Sequence, residues 1–415
     1  MADSAEALER FDPANVVDID LEGAELRQNW LDVLSSWARR PPFYARDRHG
    51  RIRVVCGRYA DVREVQMDRE RFSVVVPPGS GNETFDFFMG VTNVAQTDGV
   101  DHDRMRRLLA TPFGPQAIAA LEIKIRGVIS EMLDAVEAKG TGEFEAMSDF
   151  CSHLIARIVF ETMLGFKREQ TQAFYEINQA LELVNEMAPG DPFPEAYVKA
   201  FNAACATIAA LVEERRADPG DDVISSLLKA RDGGDFLSTD ELIGNIFAIT
   251  AGALTTTAIS LGAALYNLCR HPDQLARLQA DPALIPAALE ECLRYQGPGY
   301  LTFARFAVAD TEIGGTKIPK GVPIEISQQA ANLDPEQYPD PLRFDITRNP
   351  KGICTFGGGM HLCIGFRIAR TIMRIALEDV LQRFPNIRLA DLDYKPTYHG
   401  MHGELAPRAI PLRID

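Results

Sequence analysis

The chain has 415 residues, 46% of them hydrophobic, with seven cysteines and a formal charge of -16. Such a composition supplies a large core and excludes a disordered or collagen-like chain. So acidic a balance also excludes a general affinity for nucleic acid or anionic lipid, both of which need a cationic face.

The opening MADSAEALERFDPANVV is polar and acidic, with no apolar h-region. No later run reaches the roughly 18 uninterrupted apolar residues of a membrane span, so a soluble cytoplasmic protein is expected. The cysteines (Cys56, Cys151, Cys205, Cys269, Cys292, Cys354 and Cys363) are scattered and unpaired in spacing, which suits a reducing compartment. Residues 1–40 read as an N-terminal extension. RIRVVCGRYADV alternates apolar and polar residues and then meets a glycine, which predicts a strand, a turn and a helix. Residues 73–100 break every period and are rich in Pro and Gly, predicting a long loop of the kind that usually carries function. From about 115 to 230 the pattern is helical, interrupted at MAPGDPFPEA by three prolines. No repeat or linker divides the sequence, so one domain spanning 1–415 is expected.

The longest predicted element covers 238–270. Ser238 and Glu241 form a capping box at its start, and Pro272 lies just past its end. About 30 residues at 1.5 Å each reach roughly 45 Å, enough to cross a domain. Its middle, AGALTTTA, is poor helix material, since Gly252 and each threonine cost up to about 1 kcal/mol relative to alanine. Two readings stay open: a tight helix crossing that needs small residues, or a bulged helix passing over a bound group with a hydroxyl left free. Further on, EECLR puts Glu291 and Arg294 at i, i+3, where an ion pair forms readily and by itself means little. Then follow YQGPGYLTFARFA, IPKG, ANLDPEQYPDPLRFDITR and, at 356–365, FGGGMHLCIG, with four glycines, a histidine and one cysteine ahead of an arginine-rich helical run.

In order and spacing these segments resemble the cytochrome P450 family of haem-thiolate enzymes, from about residue 40 onward. Phe356, Gly357, Gly359, His361, Cys363 and Gly365 match its haem loop, Phe-Gly-x-Gly-x-[His/Arg]-x-Cys-x-Gly. Glu291 and Arg294 match its Glu-x-x-Arg motif, and Arg343 in PLRF matches the arginine that completes a structural Glu-Arg-Arg cluster. HDRMRRLL is similar to its haem-contacting helix and AGALTT to its oxygen-activating helix. The resemblance implies a mainly α fold with small β-sheets, a haem b between the long helix and the cysteine-loop helix, and O2 as co-substrate. It assigns Cys363 as axial iron ligand, and His361, Arg305, His102 and Arg106 as partners of the haem propionates.

The loop's chemistry agrees. A thiolate-held haem iron needs one protein ligand, and the thiolate pushes electron density toward bound O2 to favour O–O cleavage. A helix N-terminus beside the sulfur is expected to lower its pKa, glycines to let the backbone approach the macrocycle, and Phe356 to shield the sulfur. Phosphate-loop spacing is absent, and a zinc site on Cys354, His361 and Cys363 lacks a Cys-x-x-Cys pair and a fourth ligand.

One position departs from the family. Its oxygen-activating helix reads [Ala/Gly]-Gly-x-[Asp/Glu]-Thr; here Ala251, Gly252 and Thr255 fit, while Leu254 stands where the proton-delivering acid belongs. Thr255 remains the oxygen-activating hydroxyl, with Thr256 and Thr257 as packing or helix-bending residues. The favoured reading is a monooxygenase with altered proton delivery. A peroxygenase or NADH-driven nitric oxide reductase is the alternative, and a haem-based gas sensor the third, disfavoured for want of a signalling segment. With no fused flavin, iron-sulfur domain or anchor in the sequence, electrons are expected from a separate ferredoxin and its reductase. Arg104, Arg107, Arg367, Arg370 and Arg374 offer it a basic patch. The pocket is expected from Phe85, Phe87, Phe88, Met89, Val91, Ala251, Leu254 and Leu301, with Thr92, Asn93 or Thr302 as a polar handle. Such a lining suits a compact terpenoid or substituted aromatic.

Overall fold

A computed structural model describes residues 16–78, 88–185, 187–188, 190–400 and 403–415. Phe85 and Phe87 lie outside the described residues. Seven helices position the site: α1 (Gly99–Leu109), α2 (Pro115–Glu137), α3 (Gln172–Asn185), α4 (Glu195–Ala217), α5 (Thr239–Arg270), α6 (Ile285–Tyr295) and α7 (Phe366–Arg383).

Each helix follows from its sequence. In α2, Pro115 occupies the first turn, where its missing N–H costs nothing, and Ile118, Ile125, Ile129, Leu133 and Val136 form one buried stripe. That stripe packs against α7, whose Ile368, Ile372, Met373, Ile375, Ala376 and Leu377 are buried in the same core. The proline-rich break falls as expected, with α3 ending at Asn185 and α4 starting at Glu195. A second interruption was not legible: between α2 and α3 the chain makes a short strand, Glu143–Glu145, and two π-helical turns, Ala146–Cys151 and Arg157–Met163.

The capping box of α5 is present in both directions, with Ser238 Oγ accepting from the Glu241 N–H at 3.2 Å and Glu241 accepting from the Ser238 N–H at 2.9 Å. Its 32 residues reach about 48 Å at 1.5 Å each. From Thr257 to Leu265 every residue is buried, so this half runs through the interior. The turn before it, 251–256, is only partly buried, and Gly252 is exposed. Of the two readings of its middle, the bulged helix does not occur, for α5 is regular α-helix throughout. Two of its hydroxyls are absorbed locally: Thr256 Oγ1 donates to the Gly252 carbonyl at 2.6 Å and Ser260 Oγ to the Thr256 carbonyl at 2.8 Å. By length and composition α4 and α5 could each cross a membrane, a test that core helices also pass, and both contribute to the main core.

The β-structure gathers distant segments. β1 (Val16–Asp18), β2 (Phe43–Arg46), β3 (Ile52–Cys56), β4 (Phe72–Ser73), β5 (Arg305–Ala307) and β6 (Pro323–Ile326) form one sheet in the order β1-β2-β3-β6-β5-β4. β3 is antiparallel to β2, with Phe43 opposite Val55, and parallel to β6, with Val54 opposite Ile324. After β3 comes the helix Tyr59–Met67, as the alternation predicts. The loop expected over 73–100 begins in β4 and gives way to α1 at Gly99. Near the C-terminus β7 (Tyr398–His399) pairs antiparallel with β8 (Ala406–Pro407).

Candidate active site

The cysteine loop is a tight turn docked on the helix Tyr59–Met67. The Cys363 N–H donates to the Phe356 carbonyl at 2.9 Å and the Gly357 N–H to the Cys354 carbonyl at 2.8 Å. Gly357 and Gly359 have φ of 75° and 63°, the region that favours glycine. A Cβ on Gly359 would fall 2.1 Å from the Gln66 carbonyl oxygen, and one on Gly358 would fall 2.3 Å from the Arg63 guanidinium. These two glycines therefore let the loop approach the helix closely. Gly365 is the N-cap of α7, and a Cβ there would make ordinary contact with Cys363 Sγ at 3.8 Å. Phe356 lies under the Arg370 guanidinium, 4.3 Å from its ring centroid, and edge-on to Phe366.

Among the seven cysteines Cys363 alone is exposed. It reaches the surface yet has protein around it on most sides at longer range. That enclosure pushes the thiol pKa up, against the Gly365 N–H and the charges of Arg106 and Arg370. The Gly365 N–H at the N-terminus of α7 lowers it, as expected, and desolvation outweighs that pull.

Cations collect beside it. Arg106 on α1 donates to the Leu362 carbonyl at 2.5 Å, and burial lowers its pKa while Cys363 raises it. Arg305, leading β5, donates to the Phe303 carbonyl at 2.9 Å, and burial pulls it down to about 10. It remains a cation at neutral pH. The His102 and His361 rings meet at a tilt of 56°, with centroids 4.6 Å apart. His102 Nε2 is buried with no hydrogen-bond partner among the described residues. His361 is held down chiefly by burial and also by Arg305 and His102, while its Nε2 meets Asp98 Oδ1 at 2.8 Å. Asp98 was missed in the sequence. Burial would raise its carboxyl, but hydrogen bonds from His361, Ser73 Oγ and the Val74 N–H bring it down to about 2. A single accessible thiol beside half-buried arginines and an orphaned imidazole nitrogen fits a metal-centred ligand that carries carboxylates.

The accessible turn of α5 supplies the rest. Nothing lies within 4 Å of a Cβ built on Gly252, while Ala251 and Leu254 are half-buried. The hydroxyl of Thr255 donates to Glu404 Oε1 at 2.6 Å. Of the expected pocket residues, Phe88 is core instead, 2% exposed and edge-on to Phe247 of α5 at 6.0 Å. Met89 (φ 51°) and Val91 are partly buried beside it. Leu301 is buried, with its Cβ 2.7 Å from where a Cβ on Gly403 would stand. Asn93 is no polar handle: fully buried, it caps its own turn through Val91, Ala95 and Gln96.

Behind the cysteine loop, Arg294 grips Glu291 through two bonds, 2.7 and 2.8 Å, with both side chains fully buried. Arg294 also donates to the carbonyls of Asn332 and Pro341. Asn332 in turn accepts from the Cys354 N–H at 2.7 Å and donates to Thr355 Oγ1 at 2.9 Å, so the cluster reaches the loop. The third member needs correcting. Arg343 is 66% exposed at its side chain and faces Asp345 at 3.8 Å, whereas Arg348 donates to Glu291 Oε1 at 3.2 Å. Asp340, with φ 51°, starts a turn closed by the Arg343 N–H, and that turn leaves the Arg343 side chain outside.

The basic patch is also corrected. Arg104 pairs with Glu241, Arg107 with Asp232, Arg370 with Glu290, and Arg374 with Glu122 and Glu378. Among the described residues of that set, Arg367 alone has no acidic partner, and it lies over the Phe366 ring. Clustering by sequence did not foresee these acids, which, Glu378 of α7 itself apart, come from α2, α5, α6 and the loop at Asp232.

Comparison with known proteins agrees with this geometry. The family model "Cytochrome P450" matches residues 25–407. Cytochrome P450 CYP107DY1 of Priestia megaterium is 34% identical over 331 residues, covering 80% of this chain and 79% of that one. The 6-deoxyerythronolide B hydroxylase of Saccharopolyspora erythraea is 33% identical over 299 residues, 72% of each chain. Among solved structures, myxobacterial cytochrome P450 CYP267B1, in complex with myristic acid, aligns with a TM-score of 0.85 at 28% identity, covering 95% of this chain and 98% of that one. The fold is the mainly α P450 fold with small sheets, and the chain belongs to the cytochrome P450 family of haem-thiolate monooxygenases, which use haem b and O2.

Proposed function

We propose that this protein inserts one oxygen atom from O2 into a small hydrophobic substrate of terpenoid or aromatic type, with electrons delivered by a separate ferredoxin in the cytoplasm. The observation that carries the reading is the lone accessible thiol of Cys363 among half-buried cations, just ahead of a helix that packs against α5. Cys363 is the iron ligand. Arg106, Arg305, His102 and His361 would hold the propionates, and the unpartnered His102 Nε2 marks one open hydrogen-bonding position. Bound there, haem supplies the activation of dioxygen, and the cysteine thiolate favours O–O cleavage.

The chain's own groups do the rest. Ala251 and Gly252 keep the α5 turn thin, so a planar group can lie close against it. Thr255 holds the hydroxyl that passes protons into the pocket. Phe356, clamped between Arg370 and Phe366, keeps water from the sulfur. Met89, Val91, Leu254 and Leu301 give the pocket an apolar wall, which expels water as an apolar substrate enters. The paired arginines leave little free positive charge for an acidic donor, so Arg367 is the residue on which ferredoxin docking would turn.

Leu254 sustains a second reading, a haem-thiolate enzyme driven by peroxide or reducing nitric oxide, since neither needs an acid at that position. The deciding experiment is the absorption spectrum of the purified ferric protein, titrated with terpenoids, aromatics, fatty acids and macrolactones. A Soret shift from low to high spin with the terpenoids or aromatics, followed by oxygenation with NADH, ferredoxin and reductase, establishes the monooxygenase. A shift confined to another class corrects the substrate, and turnover with peroxide or nitric oxide alone transfers the protein to the second reading.

A further inference from the structure

The acid missing from α5 has a counterpart elsewhere in the chain. Leu254 cannot hold or move a proton, yet the hydroxyl one residue on, Thr255 Oγ1, donates at 2.6 Å to a carboxylate 149 residues away, Glu404 Oε1. Glu404 sits on the segment leading into β8. Its backbone is fixed from both sides: the Tyr300 N–H donates to the Gly403 carbonyl at 2.6 Å, the Leu405 N–H to the Pro298 carbonyl at 2.9 Å, and Gly299 bridges Glu404 itself. The segment after α6 thus aims the side chain at the accessible turn of α5. Two glycines make room. A Cβ on Gly400 (φ 130°) would meet Glu404 Cβ at 2.7 Å and Oε2 at 3.0 Å, and one on Gly403 (φ 74°) would meet Leu301.

The neighbouring hydroxyls are committed elsewhere. Thr256 bonds back to Gly252, and Thr250 to the Phe247 carbonyl. Thr255 alone among these three sends its hydroxyl off the helix, and it sends it to an acid. Both Thr255 and Glu404 are half-buried, neither sealed in the core nor free in solvent.

We propose that Glu404 is the acid of the oxygen-activating site, relaying protons from solvent to Thr255 in place of a carboxylate on α5. The step moves one proton. The Glu404 carboxylate takes it from water, and the carboxylic acid so formed donates to Thr255 Oγ as the threonine releases its own hydroxyl proton into the pocket. No electron moves, no bond between heavy atoms changes, and the carboxylate is restored. The proposal rests on the monooxygenase reading.

The test compares the haem-loaded wild type with Glu404→Gln, which keeps size and hydrogen bonding but cannot ionise, and with Glu404→Asp. Product is measured with NADH and O2, and separately with hydrogen peroxide, which brings its own protons. General acid–base steps contribute about 10²-fold or more, so Glu404→Gln should lose product by about that factor with O2 while peroxide-driven oxygenation persists. Glu404→Asp should restore part of the O2-driven rate. Infrared difference spectra across a pH titration give a readout independent of turnover. A protonated-carboxyl band should vanish in Glu404→Gln and shift in Thr255→Val.

Equal O2-driven product in wild type and Glu404→Gln overturns the relay. So does parallel loss with O2 and peroxide, which marks a structural or substrate-binding role, and so does a carboxyl band indifferent to Thr255→Val. A wild-type protein that oxygenates nothing with O2 while it turns over peroxide or nitric oxide sinks the monooxygenase reading itself, and the relay with it.

Discussion

Arg343 and Arg348 stand five residues apart in one loop, and only Arg348 reaches Glu291. Its side chain is 15% exposed against 66% for Arg343, and it also ties down the carbonyls of Pro339, Asp340 and Arg343. Removing one partner of a buried ion network leaves an uncompensated charge at a cost of about 3–5 kcal/mol. Glu291→Ala and Arg294→Ala should therefore yield protein without haem, Arg348→Ala should impair haem retention, and Arg343→Ala should leave it unchanged. The ferrous–CO spectrum per milligram of purified protein checks all four. Asp98 governs acid behaviour at the same scale. Its folded value near 2 lies below the ordinary carboxylate value of about 3.9. Its ionisation therefore stabilises the fold above the ordinary value and ceases to do so as pH falls through about 2. Asp98→Asn should lower stability at neutral pH and flatten the loss between about pH 4 and pH 2, as read by denaturant midpoints across that range.

At the scale of elements, two glycines predict opposite outcomes. Gly359 has positive φ, and a Cβ there would strike the Gln66 carbonyl at 2.1 Å, so Gly359→Ala should unseat the cysteine loop and abolish haem incorporation. Gly252 lies within a regular helix with nothing near a built Cβ. Gly252→Ala should raise the denaturation midpoint of the haem-free protein by the equivalent of about 1 kcal/mol, while narrowing the space above the site. If the midpoint falls instead, the turn at 251–256 is not the unobstructed helix described. The capping box at Ser238 and the proline-rich break after α3 were legible because they are local: each depends on groups within a few residues. The strand between α2 and α3 was not, since its hydrogen bonds answer to a β-partner at the far end of the chain. Glu143–Glu145 pairs with Pro411–Arg413.

At the scale of the whole molecule, the haem site is assembled from α1, β5, α5 and the cysteine loop, and none of these forms it alone. A ligand that binds only the assembled fold stabilises it by mass action, about 4 kcal/mol at a thousandfold excess over its Kd. Removal of haem should accordingly lower the calorimetric melting temperature, and reconstitution should restore it. Equal melting of the two forms would show that the site is not coupled to the fold.

The thiol and its glycine loop, the Glu-x-x-Arg pair, Thr255 and the unusual Leu254 were all decided by the sequence, because each is a short-range pattern whose chemistry is carried by residue type and spacing. Only the tertiary structure decided which arginine completes the buried cluster, that Asp98 joins the histidines, that Phe88 is core, and that the basic patch is already paired. It alone also brought Glu404 to Thr255. Those facts depend on contacts between segments tens to hundreds of residues apart, and such contacts leave no periodic trace in the chain.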